Sequence, residues 1–135
     1  MPPNFEFEFV YFTEPRITVR VVSPVNGQTK LIRGHIDTGA QATILDASVA
    51  RDLGLELSSA ATASLTGLGG QVEARFSAME LRLLDEPELT RTLTVAFIAD
   101  IESQLGNLIG LDVLEHFDFA LSHSQRTGYL GRSTA

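Results

Sequence analysis

The sequence of 135 residues has no cysteine, and its only lysine is Lys30. The lack of cysteine excludes a disulfide framework, a thiolate nucleophile and a cysteine-ligated metal, so any catalysis must use oxygen or imidazole groups. The formal net charge is −7, whereas binding to a polyanion depends on clustered Lys and Arg. We therefore expect no nucleic-acid partner.

Long apolar stretches and a basic leader are also missing. No run of the sequence approaches the length of a membrane-spanning helix, and the first residues lack the positive charges of a targeting segment. With 44% hydrophobic residues, the chain has enough apolar side chains to bury one core. The sequence predicts one domain over residues 1–135, located in the cytoplasm and without membrane contact.

Alternation with a period of two, which is typical of strands, is the commonest pattern in the sequence. It is clearest at residues 5–9, where phenylalanine alternates with glutamate. An Asn26-Gly27 pair between two such runs predicts a hairpin turn. The predicted strands cover residues 5–9, 17–22, 30–36, 63–65, 72–84 and 92–99, with one or two more within 117–130.

Two short helices are predicted between the strands. Asp46 is placed to cap the first helix, and Gly54 ends it because glycine accepts the left-handed backbone of a helix stop. The second helix opens at residues 108–110, Leu-Ile-Gly, and runs to His116. The fold class is therefore mostly β, with two small helices.

A short motif that can carry chemistry follows the predicted strand at residues 30–36. The Asp-Thr-Gly-Ala turn at residues 37–40 is by itself a weak signal, because an aspartate before a turn commonly only caps nearby amides. Two further features follow in order: a glycine-rich tip at residues 66–70 and the Leu-Ile-Gly opening of the second helix. The three elements in this order are much rarer than any one of them.

From Pro15 to Leu130 the chain resembles the retropepsin-like aspartic proteases, which include retroviral proteases, the protease domain of DNA-damage-inducible ubiquitin-shuttle proteins and bacterial single-domain relatives. The resemblance is sharpest at residues 36–44, Ile-Asp-Thr-Gly-Ala-Gln-Ala-Thr-Ile, and at residues 108–114, Leu-Ile-Gly-Leu-Asp-Val-Leu. It implies a closed β-barrel-like acid protease fold with one or two short helices and a flap hairpin. It also implies a homodimer that cleaves peptides without a cofactor or a metal.

The same resemblance assigns roles to individual residues. Asp37 would be the catalytic carboxylate, Thr38 the hydroxyl that bridges the two active-site loops, and Gly39 the residue whose backbone meets the substrate. Gln41 and Leu111 stand where some retroviral enzymes carry an ion pair, but the shuttle-type domains also have Gln and Leu there. The implied substrate-binding residues are His35, Ala40, Ala42, Ile44, Leu68, Gly69 and Leu108.

The chemistry of this class explains why a dimer is expected. Hydrolysis by an activated water needs one carboxylate to accept a proton and a second carboxylic acid to donate one. The sequence has one Asp-Thr-Gly, at Asp37, so the second acid must come from another copy across a two-fold axis. The predicted function is an aspartic endopeptidase acting on extended or unfolded peptides, with the terminal segments 5–12 and 117–130 forming strands across the axis.

Several alternatives stay open. A non-catalytic binding or dimerisation module could use the same fold. The glycine-rich tip is either a flap or an ordinary hairpin turn, and His35 either lines the pocket or is a half-buried packing residue. A metal site from the three histidines is disfavoured by their spacing, and a serine hydrolase by the lack of a Gly-x-Ser-x-Gly elbow. Ala40 has no hydroxyl to stabilise ionised carboxylates, which predicts a working pH less acidic than that of pepsin-type enzymes.

Overall fold

The computed structural model describes residues 5–57, 61–67 and 70–132. Strands dominate this part of the chain, and the helices are short, as the sequence predicts. The strands are β1 (Phe7–Val10), β2 (Arg16–Val22), β3 (Thr29–Ile36), β4 (Ile44–Asp46), β5 (Thr62–Gly67), β6 (Gly70–Leu83), β7 (Thr90–Ile98), β8 (Asn107–Ile109), β9 (Phe117–Ser122) and β10 (Thr127–Arg132). The helices are α1 (Ala47–Asp52), α2 (Ile101–Gln104) and α3 (Leu111–Leu114), with single 3₁₀ turns at Pro87–Leu89 and His123–Gln125.

Six of these strands form a closed barrel. They are hydrogen-bonded in the order β2-β3-β8-β4-β7-β6, and pairing of β2 with β6 closes the ring, while β5 attaches to the outer part of β6. The alternating pattern of β2 explains its place in the wall, because Ile17, Val19 and Val21 are all buried. Closure leaves the barrel strands without free edges. The expected closed β-barrel is confirmed.

The β2–β3 hairpin turns where the Asn-Gly pair predicts. Gly27 has a φ of +73°, a backbone conformation that favours glycine. The Gly27 N–H donates to the Ser23 carbonyl, and the Ser23 N–H donates to the Gln28 carbonyl, each at 2.9 Å. The two strands then pair in register from Val22 opposite Thr29 to Arg16 opposite His35.

A separate three-stranded sheet is made by the two ends of the chain, in the order β1-β10-β9. β1 pairs antiparallel with β10 from Phe7 opposite Leu130 to Val10 opposite Thr127. Phe9 packs closely against Gly128, where a Cβ atom would lie 2.1 Å from the Phe9 ring. The contact between the first and last strands is therefore made within one chain, and the expected strand pairing across a two-fold axis stays a prediction.

The helices agree with the sequence only in part. Asp46 caps α1 as predicted, and Gly54 follows the helix with a φ of +70°. The second predicted helix was placed too early, because residues 108–109 belong to β8, whose parallel pairing with β3 cannot be read from local pattern. Its true start is Leu111. Helix α2 was not predicted; it follows Asp100, which has a left-handed φ of +61°.

The apolar interior has two parts. The larger cluster fills the barrel and extends to the terminal sheet, with Val19, Leu45, Phe97 and Ile109 each at most 2% exposed. The smaller cluster, here called the cleft-side cluster, contains Ala74, Ala96, Ile98 and Ile101, and the partly buried Ile44, Val72 and Phe76 pack against it. Among the described helices, none has the length and apolar character needed to cross a membrane.

Candidate active site

Asp37 lies directly after β3 and is half-buried. Its backbone N–H donates to the Ile109 carbonyl at 3.0 Å, and the preceding Ile36 N–H donates to the Pro15 carbonyl at 2.8 Å. The end of β3 is thus held from two sides, by β8 and by the segment that leads into β2. Such bonds fix the point from which the Asp37 side chain projects.

The turn that follows is short and polar. The Asp37 Oδ1 accepts a hydrogen bond from the Gly39 N–H at 2.9 Å, and the Asp37 carbonyl accepts one from the Ala40 N–H at 3.2 Å. A Cβ atom at Gly39 would lie 3.2 Å from the Asp37 Oδ1, so glycine lets the turn close tightly. Thr38 and Gly39 are exposed. Within one chain, this is also the geometry of an ordinary turn aspartate.

Hydrogen bonds between Thr43 and Asp112 hold the C-terminal end of the Asp37 turn in place, and neither residue had a predicted role. The Thr43 N–H donates to the Asp112 Oδ2 at 2.9 Å, and the Thr43 hydroxyl donates to Oδ1 at 2.7 Å. The Thr43 hydroxyl also accepts a hydrogen bond from the Gly110 N–H at 3.1 Å. Thr43 is fully buried, so these bonds replace water that its polar groups cannot reach.

Gly110 is needed where the Asp37 turn meets the start of α3. A Cβ atom at Gly110 would lie 2.7 Å from the Ala42 carbonyl oxygen and 2.8 Å from that of Ala40. The next N–H groups complete the contact, since Leu111 donates to the Ala40 carbonyl at 2.9 Å and Asp112 donates to the Gln41 carbonyl at 3.1 Å. The two sequence motifs therefore occur together for a structural reason. The second motif, at the start of α3, holds in place the turn that is formed by the first.

A second polar network is centred on Asp46, at the end of β4. Asp46 is buried, and its carboxylate accepts the Ser48 N–H at 2.8 Å and the Glu102 N–H at 2.9 Å. The Asp46 N–H donates to the side-chain Oδ1 of the buried Asn107 at 2.8 Å. Burial raises the pKa of Asp46, but the N–H groups of Glu102 and Ser48 outweigh it and hold that pKa below its ordinary value. The network joins α1, α2 and β8 to β4.

Three of the predicted pocket residues lie on neighbouring strands. His35 pairs with Leu108 across the parallel β3–β8 contact, and Ile44 pairs with Leu108 across the β4–β8 contact. His35 is half-buried, and its Nδ1 lies 3.9 Å from a Glu14 carboxylate oxygen. Ala40 is half-buried and Ala42 is exposed on the turn itself. The structure thus brings these five residues together beside Asp37, while their role in binding substrate stays a prediction.

The predicted glycine-rich hairpin is present as β5 and the first part of β6. The pairing continues to Thr66 opposite Gln71 and Gly67 opposite Gly70. Leu68 and Gly69 lie outside the described residues. Further along β6, Val72 and Phe76 pack against the cleft-side cluster, as does Ile44 from β4. The hairpin and the predicted pocket residue Ile44 therefore pack against the same apolar cluster, while the role of the hairpin as a flap stays a prediction.

The other two histidines make contacts away from Asp37. The His123 ring stacks on Tyr11 with a centroid separation of 5.9 Å, and its Nδ1 lies 3.0 Å from the Tyr11 hydroxyl. The His116 Nε2 lies 3.6 Å from a Glu115 carboxylate oxygen. In residues 5–57, 61–67 and 70–132, no three His, Asp or Glu side chains are grouped so that they could hold a metal ion.

Comparison with known proteins agrees with this geometry. The model of the aspartyl protease family matches residues 18–113. A retropepsin-like aspartic protease from Rickettsia conorii has a similar structure, with a TM-score of 0.61, 17% sequence identity, and coverage of 91% of this chain and 98% of that one. The EIAV protease in complex with the inhibitor HBY-793 gives a TM-score of 0.55 at 18% identity, covering 76% of this chain and 86% of that one.

No curated protein matches the sequence. The two structural likenesses are below 25% identity, so they show the shared fold alone. The family match covers both the Asp-Thr-Gly turn and the Leu-Ile-Gly segment that holds it. The chain belongs to the aspartyl protease family and has the retropepsin-like fold.

Proposed function

We propose that the protein is an aspartic endopeptidase that works as a homodimer. The observation that carries the proposal is the placement of Asp37, which follows β3 and is anchored by backbone hydrogen bonds to Ile109 and through its turn to the start of α3. The chain belongs to a family of aspartyl proteases and contains one Asp-Thr-Gly turn. A second Asp37 from another copy completes the pair of acids.

The chemistry divides between the two carboxylates. One Asp37 accepts a proton from the attacking water, while the other donates a proton to the carbonyl oxygen of the scissile peptide. Two carboxyl groups this close share one proton, because both cannot ionise at low energetic cost. Each Gly39 N–H keeps one Asp37 oxygen oriented, which leaves the other oxygen of each pair for water and substrate.

The substrate is an extended peptide lying between the Asp37 turn and the β5–β6 hairpin. Its main chain can add to the cleft as a further strand, and its side chains alternate between the walls. The half-buried Ile44 provides apolar contact on one wall, with the buried Leu108 paired beside it, and the half-buried His35 adds one polar group. The proposal therefore favours hydrophobic residues on the two sides of the scissile bond.

A non-catalytic peptide-binding or dimerisation module is the second candidate. It is favoured by one observation: the Asp37 carboxylate already has a backbone donor inside its own chain, as a purely structural turn residue would. In this second function, the paired turns would hold a peptide without cutting it. The two candidates differ in the fate of the peptide and in their response to a transition-state mimic.

A peptide-library cleavage assay tests the proposal. The wild-type chain should cut peptides, a statine-type mimic should inhibit it, and the Asp37→Asn variant should lose activity. The Asp100→Asn variant is a matched control, because Asp100 is exposed and its left-handed backbone also suits asparagine. A dimer that binds peptides but neither cuts them nor binds the mimic would establish the second candidate instead.

A further inference from the structure

A pocket lies where the β5–β6 hairpin leaves the barrel wall. The pairing of β6 with β7 ends at Arg75 opposite Phe97, whereas its pairing with β5 continues as far as Gly70. The end of β7 pairs instead with β4, with Ile98 opposite Asp46. The two strands therefore diverge beyond Arg75 and Phe97, and the pocket occupies the fork between them.

This fork pocket has a volume of about 340 Å³, and six of its eight lining residues are apolar. Phe97 and Ile98 are only 2% and 3% exposed, and Leu57 and Val72 are half-buried. Small-molecule sites have volumes of about 300–1,000 Å³. An apolar lining offers water few hydrogen-bond partners, so the fork pocket favours an apolar ligand.

The charged groups at the fork pocket are already bonded. The Arg75 guanidinium donates to the Leu57 carbonyl at 2.9 Å and lies 3.2 Å from a carboxylate oxygen of the exposed Glu73. A charged ligand would have to disrupt these bonds or lose its hydration against apolar side chains, and both are costly. The fork pocket therefore selects against charge in its ligand.

Three separate elements meet at the fork pocket, and it is distinct from the Asp37 site. Leu57 comes from the segment after α1, Val72 from the hairpin and Ala99 from the residues after β7. The lining includes neither the Asp37 turn nor any of the predicted substrate-binding residues. A ligand that contacts all three elements would stabilise the arrangement in which the hairpin lies against the barrel.

We propose that the fork pocket binds an uncharged aromatic molecule of about two fused rings, and that this ligand braces the hairpin against the barrel. The size follows from the volume, because an apolar cavity of about 150 Å³ holds one benzene ring. Aromatic character is favoured because the ring of Phe97 lines the pocket, and because a rigid ligand loses little conformational freedom on binding. The inference concerns a site away from Asp37 and does not depend on peptide cleavage.

An NMR titration with 2-naphthol, an uncharged compound of two fused rings, tests the site directly. Binding should saturate with a Kd of about 1 mM or lower, as expected for a ligand of this size. The largest shifts of backbone amide signals should occur at lining residues in the ranges 72–75 and 97–99 and at Leu57. The 2-naphthoate ion has the same rings with a carboxylate, and it should bind about tenfold more weakly or worse.

A matched pair of variants tests whether the probe occupies the fork pocket. Ala99→Phe adds a ring at a lining residue and should weaken 2-naphthol binding about tenfold or more. Ala78→Phe makes the same change at an exposed alanine of β6 that does not line the pocket, and should leave the Kd unchanged. Leu57→Ala removes part of the apolar wall and should also weaken binding, which keeps the test valid if Ala99→Phe folds poorly. Circular dichroism checks the fold of each variant.

Hydrogen exchange measures whether the ligand braces the hairpin. If the hairpin must leave the pocket before its amides exchange, a probe at three times its Kd should slow exchange by about fourfold in residues 62–67 and 70–74. The turn of the β2–β3 hairpin, residues 23–28, is the internal control, because it does not line the pocket and its exchange should not change.

Each outcome supports or overturns a named part of the inference. Shifts confined to the Asp37 turn, or an unchanged Kd in both Ala99→Phe and Leu57→Ala, would overturn the site. Equal binding of 2-naphthoate would overturn the preference for an uncharged ligand, and binding without slower exchange in the hairpin would overturn the bracing. A chain that shows every binding effect but cuts no peptide defeats the proposed function alone, whereas an active protease that does not bind 2-naphthol defeats this inference alone.

Discussion

Removal of the Asp112 carboxylate should destabilise the chain at the point where the Asp37 turn is fastened. In Asp112→Ala, the Thr43 N–H and hydroxyl both lose their acceptor. Thr43 is fully buried, and each buried donor left without a partner costs about 1–3 kcal/mol, which gives about 2–6 kcal/mol in all. Asp112 is only half-buried, so water can enter beside it. We therefore expect about 3 kcal/mol, towards the lower part of that range.

Equilibrium urea unfolding at one fixed protein concentration measures this loss, since the stability of a dimer depends on concentration. Asp112→Asn keeps one acceptor oxygen and should lose about half as much free energy as Asp112→Ala. A cycle with Thr43→Val should be strongly non-additive, because the two side chains share one interaction. An unfolding free energy for Asp112→Ala within about 0.5 kcal/mol of wild type would refute the role assigned to this carboxylate.

Four further changes have defined outcomes. Gly110→Ala places a Cβ atom 2.7 Å from the Ala42 carbonyl oxygen, so urea unfolding should show a loss of about 3 kcal/mol; an unchanged midpoint would contradict this. Burial raises the pKa of Asp46, but its N–H donors lower it more. The ionised Asp46 therefore stabilises the fold fully at pH values above its unfolded-state pKa of about 3.9, and this stabilisation is lost as the pH falls through the lower pKa of the folded state. The stability difference between wild type and Asp46→Asn should therefore shrink below about pH 4 in urea titrations, and a constant difference would disprove it. His35→Leu should change the preference for the peptide side chain that lies beside it, measured as kcat/KM over a peptide library, whereas an unchanged preference assigns His35 to packing. Ala40→Ser should move the acid limb of kcat/KM to lower pH by adding a hydroxyl donor, and a shift in the other direction would exclude this role for the hydroxyl.

Elements whose position depends on a short stretch of sequence could be predicted from that stretch alone. The Asn26-Gly27 turn and the cap and stop of α1 depend on short stretches of backbone, and the structure places each where the sequence predicts. The position of Asp37 after β3 follows in the same way, because the strand pattern ends at Ile36. The antiparallel tail strands were also recognisable from their alternation, although their partners were not.

Pairings between distant segments could not be predicted from pattern. β8 has three residues, all buried, so it shows neither alternation nor a helical period. Its apolar Leu108-Ile109 pair was interpreted as the start of a helix. Its parallel pairing with β3 depends on tertiary contacts, which a local sequence pattern does not reveal. The bond from Thr43 to Asp112 joins residues 69 apart in the sequence. The sequence signal for this bond was Asp112, two residues after Gly110, but the sequence analysis treated it only as part of the second motif.

Subunit mixing tests the central claim most directly, namely that two Asp37 carboxylates from different copies share one site. Wild-type and Asp37→Asn chains are unfolded together, refolded at several ratios with constant total concentration, and assayed for peptide cleavage. If both acids are required, activity follows the square of the wild-type fraction, so an equal mixture keeps about one quarter of the activity. Activity proportional to the wild-type fraction, with about one half remaining in the equal mixture, would contradict the shared site.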